Sequence, residues 1–317
     1  MKIVILQPLA ISSDVLEKHK QALINAGHSV IYLDSLPKDQ DDAIFRIKDA
    51  EIVIAVNYPI SGKTIESSPN LKMISVAFTG FDHIDTETCE KKGIIVCNSA
   101  GYATHSVAEL TFGLIISVMR NIISCNDVIR KQGTRQGLIG NELNGKTLGI
   151  VGTGTIGLRV AEIGKTFGCK LLGYNRSEKP EAVKLGLNYV DLKTLLKESD
   201  IITVHTPFNK ETENIIGKEE FDLMKSTTIV IQTSRGGTIN ERAFAEALNS
   251  GKIAGAGIDV FVQEPPVDAT NPLLTAKNTV LTPHVAFATK EALLKRTDIA
   301  FNNITSWVKR TPINRVA

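Results

Sequence analysis

The chain is predicted to fold as two α/β domains, each built on a parallel sheet, and three observations carry that expectation. Short apolar runs alternate with helical periodicity along nearly the whole sequence, which is the rhythm of βαβ units. The 317 residues are long for one hydrophobic core and comfortable for two. Residues 146–157, K-T-L-G-I-V-G-T-G-T-I-G, pass from a strand through a glycine-punctuated turn into a helix.

Taken in order, strands are expected at 2–7, 29–33, 52–56, 72–77 and 94–97. Helices are expected at 13–26, closed by Gly27, and near 39–49, 62–68 and 85–92, the last with Gly93 as its C-cap. This is a small, flavodoxin-like parallel-sheet domain. Gln7-Pro8-Leu9 follows its first strand in place of a phosphate-cradling glycine turn, so this half is expected to contact substrate and leave the nucleotide to the other.

The N-S-A-G-Y segment at 98–102 breaks the rhythm. One long helix is then expected from Ala103 to about Lys131, with Val107, Leu110, Leu114, Ile115 and Val118 as its apolar stripe. After a polar loop at 133–145, strands are expected at 147–151, 170–174, 188–190, 200–204, 228–232, 253–258 and 279–281, which suits a Rossmann-type doubly wound sheet. A helix at 289–310 follows and can return to the first domain. The expected division is therefore 1–99 with 287–317 as substrate domain and 100–286 as dinucleotide-binding domain, with a cleft between them and hinges near Asn98 and Ala288.

Composition narrows the partners. Hydrophobic residues make up 43% and charged residues 22%, and the net charge is +2, so no basic excess points to nucleic acid or an anionic membrane. The first apolar run is too short for a signal peptide, and the longest, 110–119, falls far short of a membrane span, so a cytoplasmic protein acting on small molecules is expected. Cys89, Cys97, Cys125 and Cys169 form no C-x-x-C pair and have no histidine at ligand spacing. They read as reduced structural thiols, with no metal site.

Each glycine of the turn has a separate physical task. Gly152 permits the tight turn, Gly154 lets backbone approach a pyrophosphate, and Gly157 lets the helix pack close on the strand. The helix start at Thr155 and Ile156 offers free N–H groups to the anion. A second strand, 170–174, ends about 20 residues on, where a ribose-reading residue belongs.

Three further stretches place polar groups after predicted strand ends, where ligands bind in open α/β sheets. In T-S-R-G-G, Arg235 presents a planar guanidinium able to grip a carboxylate with paired hydrogen bonds, and the two glycines are expected to leave room beside it. In G-I-D-V-F-V-Q-E-P-P, Glu264 stands five residues after Asp259, before two prolines that fix the loop. In L-T-P-H-V-A, His284 supplies the side chain most easily tuned to exchange protons near neutral pH. In isolation each has a plain structural reading; together with the glycine turn they read as a site. Among the other histidines, His205 is placed to line the nucleotide site, His83 reads as structural, His105 begins the long helix, and His19 and His28 read as solvated.

These residues resemble the D-isomer-specific 2-hydroxyacid dehydrogenases. The resemblance covers nearly the whole chain and rests on G-T-G-T-I-G at 152–157, H-T-P-x₄-T at 205–212, T-S-R-G-G at 233–237, D-V-x₃-E-P-P at 259–266, T-P-H at 282–284 and S-V-A-E at 106–109. It implies Arg235 as binder of the substrate carboxylate and carbonyl, His284 as proton donor, and Glu264 as its hydrogen-bonded partner. It further implies that Thr206, Pro207, Thr212, Thr233 and Asp259 border the dinucleotide, and that the protein is a homodimer built around the long helix. Glu264 beside His284 would orient the ring and favour the imidazolium.

Three departures from the family pattern are informative. Tyr174-Asn175-Arg176-Ser177 has Asn175 where many relatives carry an acid, so the repulsion of a 2′-phosphate is absent. Asn175, Arg176 and Ser177 resemble the turn of NADPH-using relatives, which favours NADP over NAD. In A-F-T-G-F-D-H-I-D, Thr79 and Gly80 match positions whose N–H groups would hold the substrate carboxylate, but Phe78 replaces a glycine. Phe287 replaces a small residue, so both rings can reshape the substrate pocket or serve as ordinary packing.

Residues 56–58 lack the arginine of some phosphoglycerate enzymes, which leaves phosphoglycerate dehydrogenase as the alternative and a short 2-ketoacid as the expected substrate. A dinucleotide-sensing, corepressor-like binding protein on the same fold is the competing class.

Overall fold

In a computed structural model that describes residues 1–317, the chain divides into two compact units, Met1–Ala103 with Ala288–Ala317, and Thr104–Phe287. The division falls at Ala103 because the N-S-A-G-Y segment is tied back into the first unit. Asn98 Nδ2 donates to Thr79 O (2.7 Å), Ser99 Oγ to Val76 O (3.0 Å), and Asn303 Nδ2 to Asn98 O (2.9 Å). Phe287 falls with the second unit.

The first unit holds strands β1 (Lys2–Ile5), β2 (Ser29–Tyr32), β3 (Ile52–Ala55), β4 (Met73–Val76) and β5 (Ile95–Cys97) in the spatial order β2-β1-β3-β4-β5, all parallel. That order is flavodoxin-like. β3 and β4 are buried at every position, as strands covered on both faces must be, whereas edge strand β2 is partly exposed. The helix Lys290–Val308, capped by Thr289 Oγ1 accepting from Ala292 N, returns to this sheet and accepts a hydrogen bond from Ser75 Oγ at Ala300 O (2.9 Å). His19, expected in solvent, is half-buried here. Its ring stacks on Phe301 at 4.7 Å, and its Nε2 lies 3.0 Å from Asp298 Oδ1.

The second unit holds β6 (Thr147–Val151), β7 (Lys170–Tyr174), β8 (Asn188–Tyr189), β9 (Ile201–Val204), β10 (Ile229–Gln232), β11 (Gly255–Ile258) and β12 (Thr279–Leu281). Their order is β12-β11-β10-β9-β6-β7-β8, again parallel throughout, a doubly wound sheet that reverses direction at β6. β9, β10 and β11 are wholly buried, which explains why they read as continuous apolar runs with no alternation.

The segment expected as one helix from Ala103 to about Lys131 is two, Thr104–Met119 and Ile122–Arg130, bent by 57°. Asn121 breaks them with left-handed backbone (φ 52°), a conformation its short polar side chain tolerates. The freed Met119 carbonyl accepts from Asn141 N (2.9 Å), so the break leaves no orphan there. Val107, Leu114 and Ile115 are buried, and Leu114 and Ile115 pack with Leu148, Ile150 and Ile231 of the sheet. The stripe read from the sequence is therefore core. No residue of Ile122–Arg130 is buried, and Ile122, Ile123 and Ile129 are exposed.

Candidate active site

Gly152, Gly154 and Gly157 have the distinct environments their tasks require. Gly152 adopts φ +94°, and a Cβ there would lie 2.8 Å from the backbone of His205 and Thr206. Gly157 is closer still to its surroundings, since a Cβ would meet Gly152 O at 2.0 Å. Gly154 faces open space, with nothing within 4 Å of its Cβ position. It is the N-cap of the helix Thr155–Thr166 and provides no side-chain cap, so the first N–H groups, at Thr155, Ile156 and Gly157, are presented outward. Beside this turn, His205 Nε2 and Thr206 Oγ1 are closed to solvent without a hydrogen-bond partner. An open backbone approach, a helix N-terminus and orphaned polar atoms at a strand end together fit a dinucleotide.

His205 follows β9, and burial pushes its imidazole down to about 4 from an ordinary 6.5. A histidine depressed in the folded state binds its proton more readily when unfolded, so it lowers stability as pH falls through 6.5 toward 4. The loss is at most about 3 kcal/mol, and smaller for whatever part of the ring water reaches. Urea unfolding between pH 7 and pH 4 is expected to show a shallower decline for His205→Gln than for the wild type. Equal declines would assign the loss to other groups.

The segment after β7 is held by two clamps. Asn175 Oδ1 accepts from Thr153 N (3.4 Å) while its Nδ2 donates to Ser177 O (2.7 Å). Tyr189 Oη contacts Thr153 Oγ1 (2.7 Å) and accepts from Lys179 N (3.0 Å), joining the glycine turn to the segment after β7. Nothing in the motif at 152–157 pointed to Tyr189. Arg176 is exposed and lies 3.8 Å from Glu211 Oε2. Thr212 shapes its own loop, donating to Pro207 O (2.6 Å) and accepting from Asn209 N (2.9 Å). Thr233 Oγ1 sits 3.2 Å from Thr111 Oγ1, beneath the end of β10.

Arg235, Glu264 and His284 follow β10, β11 and β12, three neighbouring strands of one unit. Arg235 is fixed from below by Gln232, a residue the sequence did not single out. Gln232 Nε2 donates to Arg235 O (2.8 Å) and to Thr238 Oγ1 (2.6 Å), and its Oε1 accepts from Ser234 Oγ (2.9 Å). The two glycines after Arg235 serve a purpose other than the expected one. A Cβ at Gly236 would strike the Phe261–Val262 backbone at 2.1 Å, and one at Gly237 the Phe208 ring at 2.6 Å, so they admit neighbouring chain.

That close approach positions the next loop. Phe261 N donates to Glu264 Oε2 (3.2 Å), and Glu264 Oε1 lies 2.5 Å from His284 Nδ1. That contact engages Nδ1 and sets the orientation of the ring. Both side chains are largely shielded, His284 at 27% and Glu264 at 16% exposure, so their interaction is poorly screened. His284 has left-handed backbone (φ 53°), unusual for a non-glycine residue.

Asp259 holds that conformation. Its carbonyl accepts from His284 N (2.8 Å), while its carboxylate accepts from Thr282 Oγ1 (2.6 Å), Val285 N (2.9 Å) and Ala286 N (2.9 Å). Burial pushes the Asp259 carboxyl up, against the pull of these hydrogen bonds and of His284. Its observed contacts are thus with the turn that carries His284.

Phe287 meets the His284 ring edge-on at 5.4 Å. Phe78, Thr79 and Gly80 belong to the other unit, directly after β4. Phe78 is 8% exposed and lies 6.0 Å from the Tyr102 ring. The thiols of Cys89 and Cys97 are buried and pushed up to about 12 and about 11, so they are held as unreactive thiols.

A doubly wound sheet with a dinucleotide turn at its reversal point, and an arginine and a histidine–glutamate pair on its neighbouring strand ends, defines a dinucleotide-dependent oxidoreductase. Comparison with known proteins narrows the class. Residues 112–286 match the model of the D-isomer specific 2-hydroxyacid dehydrogenase, NAD binding domain. A hydroxypyruvate reductase of Blautia hydrogenotrophica is 36% identical, covering 100% of this chain and 99% of the relative. A glyoxylate reductase of Thermococcus litoralis is 40% identical, covering 81% of this chain and 80% of the relative. Among solved structures, an acyclic imino acid reductase in complex with NADPH and D-arginine superposes with TM-score 0.91 at 31% identity, covering 100% of both chains. The chain belongs to the D-isomer-specific 2-hydroxyacid dehydrogenase family. It is an NAD(P)-dependent oxidoreductase, and the sensor alternative is not favoured.

Proposed function

We propose that the protein reduces a short 2-ketoacid of the glyoxylate or hydroxypyruvate class to the D-2-hydroxyacid, with NADP preferred over NAD. The contact between His284 Nδ1 and Glu264 Oε1 at 2.5 Å carries the reading. It orients the His284 ring, whose Nε2 gives a proton to the ketone oxygen as negative charge develops there. Arg235 grips the carboxylate with paired hydrogen bonds and adds positive charge beside that oxygen. The dinucleotide, when bound along Gly152, Gly154 and Gly157, supplies the hydride. In the reverse direction neutral His284 accepts the hydroxyl proton.

Arg176 and Ser177, with no acid at Asn175, support the preference for a 2′-phosphate. The runner-up, phosphoglycerate, lacks a cation where residues 56–58 close β3. Gln7 Nε2 donates to Asn57 Oδ1 (2.8 Å), and Gln7 Oε1 accepts from Tyr58 N (3.0 Å), so an amide network occupies that strand end. Oxidation followed at about 340 nm, the absorption of reduced nicotinamide, across glyoxylate, hydroxypyruvate, pyruvate and 3-phosphohydroxypyruvate is expected to favour the unphosphorylated acids, and NADPH over NADH. Equal kcat/KM with the two dinucleotides would remove the NADP preference, and faster turnover of the phosphorylated acid would restore the runner-up.

A homodimer is the second part of the reading. Its support is the exposed isoleucine set Ile122, Ile123, Ile129 and Ile139, on the helix that buries none of its own residues and on the loop after it. Sedimentation is expected to give twice the 34.4 kDa of one chain, and a 34.4 kDa species would exclude the dimer.

A further inference from the structure

The exposed pair Arg176–Glu211 has a position that ordinary surface ion pairs lack. Arg176 follows β7 and Glu211 lies in the loop after β9, and these strands flank β6 on either side. With neighbouring strands about 4.8 Å apart, the two loops start roughly 10 Å from each other across the end of β6. The pair therefore spans the strand that carries the glycine turn.

The backbone that carries each partner is held by hydrogen bonds of its own loop. The Arg176 backbone is confined between the Asn175 and Tyr189 clamps on Thr153, Ser177 and Lys179. The Glu211 backbone is confined by an Asx turn in which Asn209 Oδ1 accepts from Glu211 N (2.8 Å) and Thr212 N (3.1 Å). Two fixed turns thus present a carboxylate to the cation that the 2′-phosphate would need. A 2′-phosphate carries up to two negative charges, and a carboxylate 3.8 Å from the same guanidinium both repels that phosphate and competes with it for the cation.

We propose that Glu211 is a specificity-determining residue, competing with the 2′-phosphate of NADP for Arg176 and so restraining the preference for the phosphorylated dinucleotide. The inference rests on the reading of Arg176 as the cation for that phosphate. Binding discriminates the two more cleanly than turnover does. Calorimetric titration of the full chain with NADPH and with NADH gives the ratio of their dissociation constants for wild type, Glu211→Gln, Arg176→Ala and the double variant.

Glu211→Gln is expected to raise the preference for NADPH about two- to fivefold at low ionic strength, the range open to an exposed ion pair. The gain is expected to shrink at high salt and to vanish in the Arg176→Ala background. An unchanged or lower NADPH preference in Glu211→Gln, with Arg176→Ala still lowering it, overturns the role of Glu211 and leaves the NADP reading intact. An unchanged ratio in Arg176→Ala removes the reading beneath it and the proposal together. Both side chains are exposed, at 90% and 76%, so the variants retain the fold and the titrations report on binding.

Discussion

His284→Ala is expected to lower kcat by about 10²- to 10⁴-fold while leaving the dissociation constant of the dinucleotide unchanged. The ring stands on the turn after β12, held by Asp259 and oriented by Glu264, and the glycine turn that fits the dinucleotide lies after β6. Removing the imidazole deletes the proposed proton donor without touching those amides, so the expected loss belongs to the transition state. Single-turnover kinetics with dinucleotide affinity measured separately would check it. An unchanged kcat would mean that the proton comes from another group, and a weakened dinucleotide would mean that the ring also serves binding.

The second large effect separates two glycines that a motif treats alike. Gly157→Ala places a methyl 2.0 Å from the Gly152 carbonyl oxygen, and neither backbone segment can yield without moving the helix Thr155–Thr166 off β6. A loss of about 3 kcal/mol or more in unfolding free energy is expected, and with it the dinucleotide site. Gly154→Ala places its methyl in open space and is expected to change stability by less than about 1 kcal/mol. Its dinucleotide affinity is nonetheless expected to fall about tenfold or more, because the methyl stands where backbone must approach a phosphate. Denaturant unfolding and calorimetry on the two variants give both quantities. Equal destabilisation by the two would show that open space at Gly154 is filled by the chain itself.

Much of this was legible in the sequence because the signals are local. A strand that runs into G-x-G-x-x-G and then helical spacing can fold in few ways, and T-S-R-G-G, E-P-P and T-P-H each follow an apolar run by a few residues. What stayed hidden depends on contacts between distant segments. The bend at Asn121 has no proline or glycine to announce it, and its compensation comes from Asn141, 20 residues on. Gln232 looks like the polar end of a strand until its amide is seen bracing Arg235 and Thr238. The glycines at 236 and 237 suggested space for a ligand, whereas they admit the Phe261–Val262 backbone and the Phe208 ring, segments more than 20 residues away in either direction. Asp259 reads from the sequence as a residue bordering the cofactor, and only its bonds show that it also maintains the left-handed backbone of His284.

The arginine, the glutamate and the histidine all rise from consecutive strands inside the unit Thr104–Phe287. The three side chains proposed for proton transfer and carboxylate binding are therefore carried together on one folding unit. On the proposed function, a lineage built on this plan passes on those three groups as one block of sequence, so they diverge together.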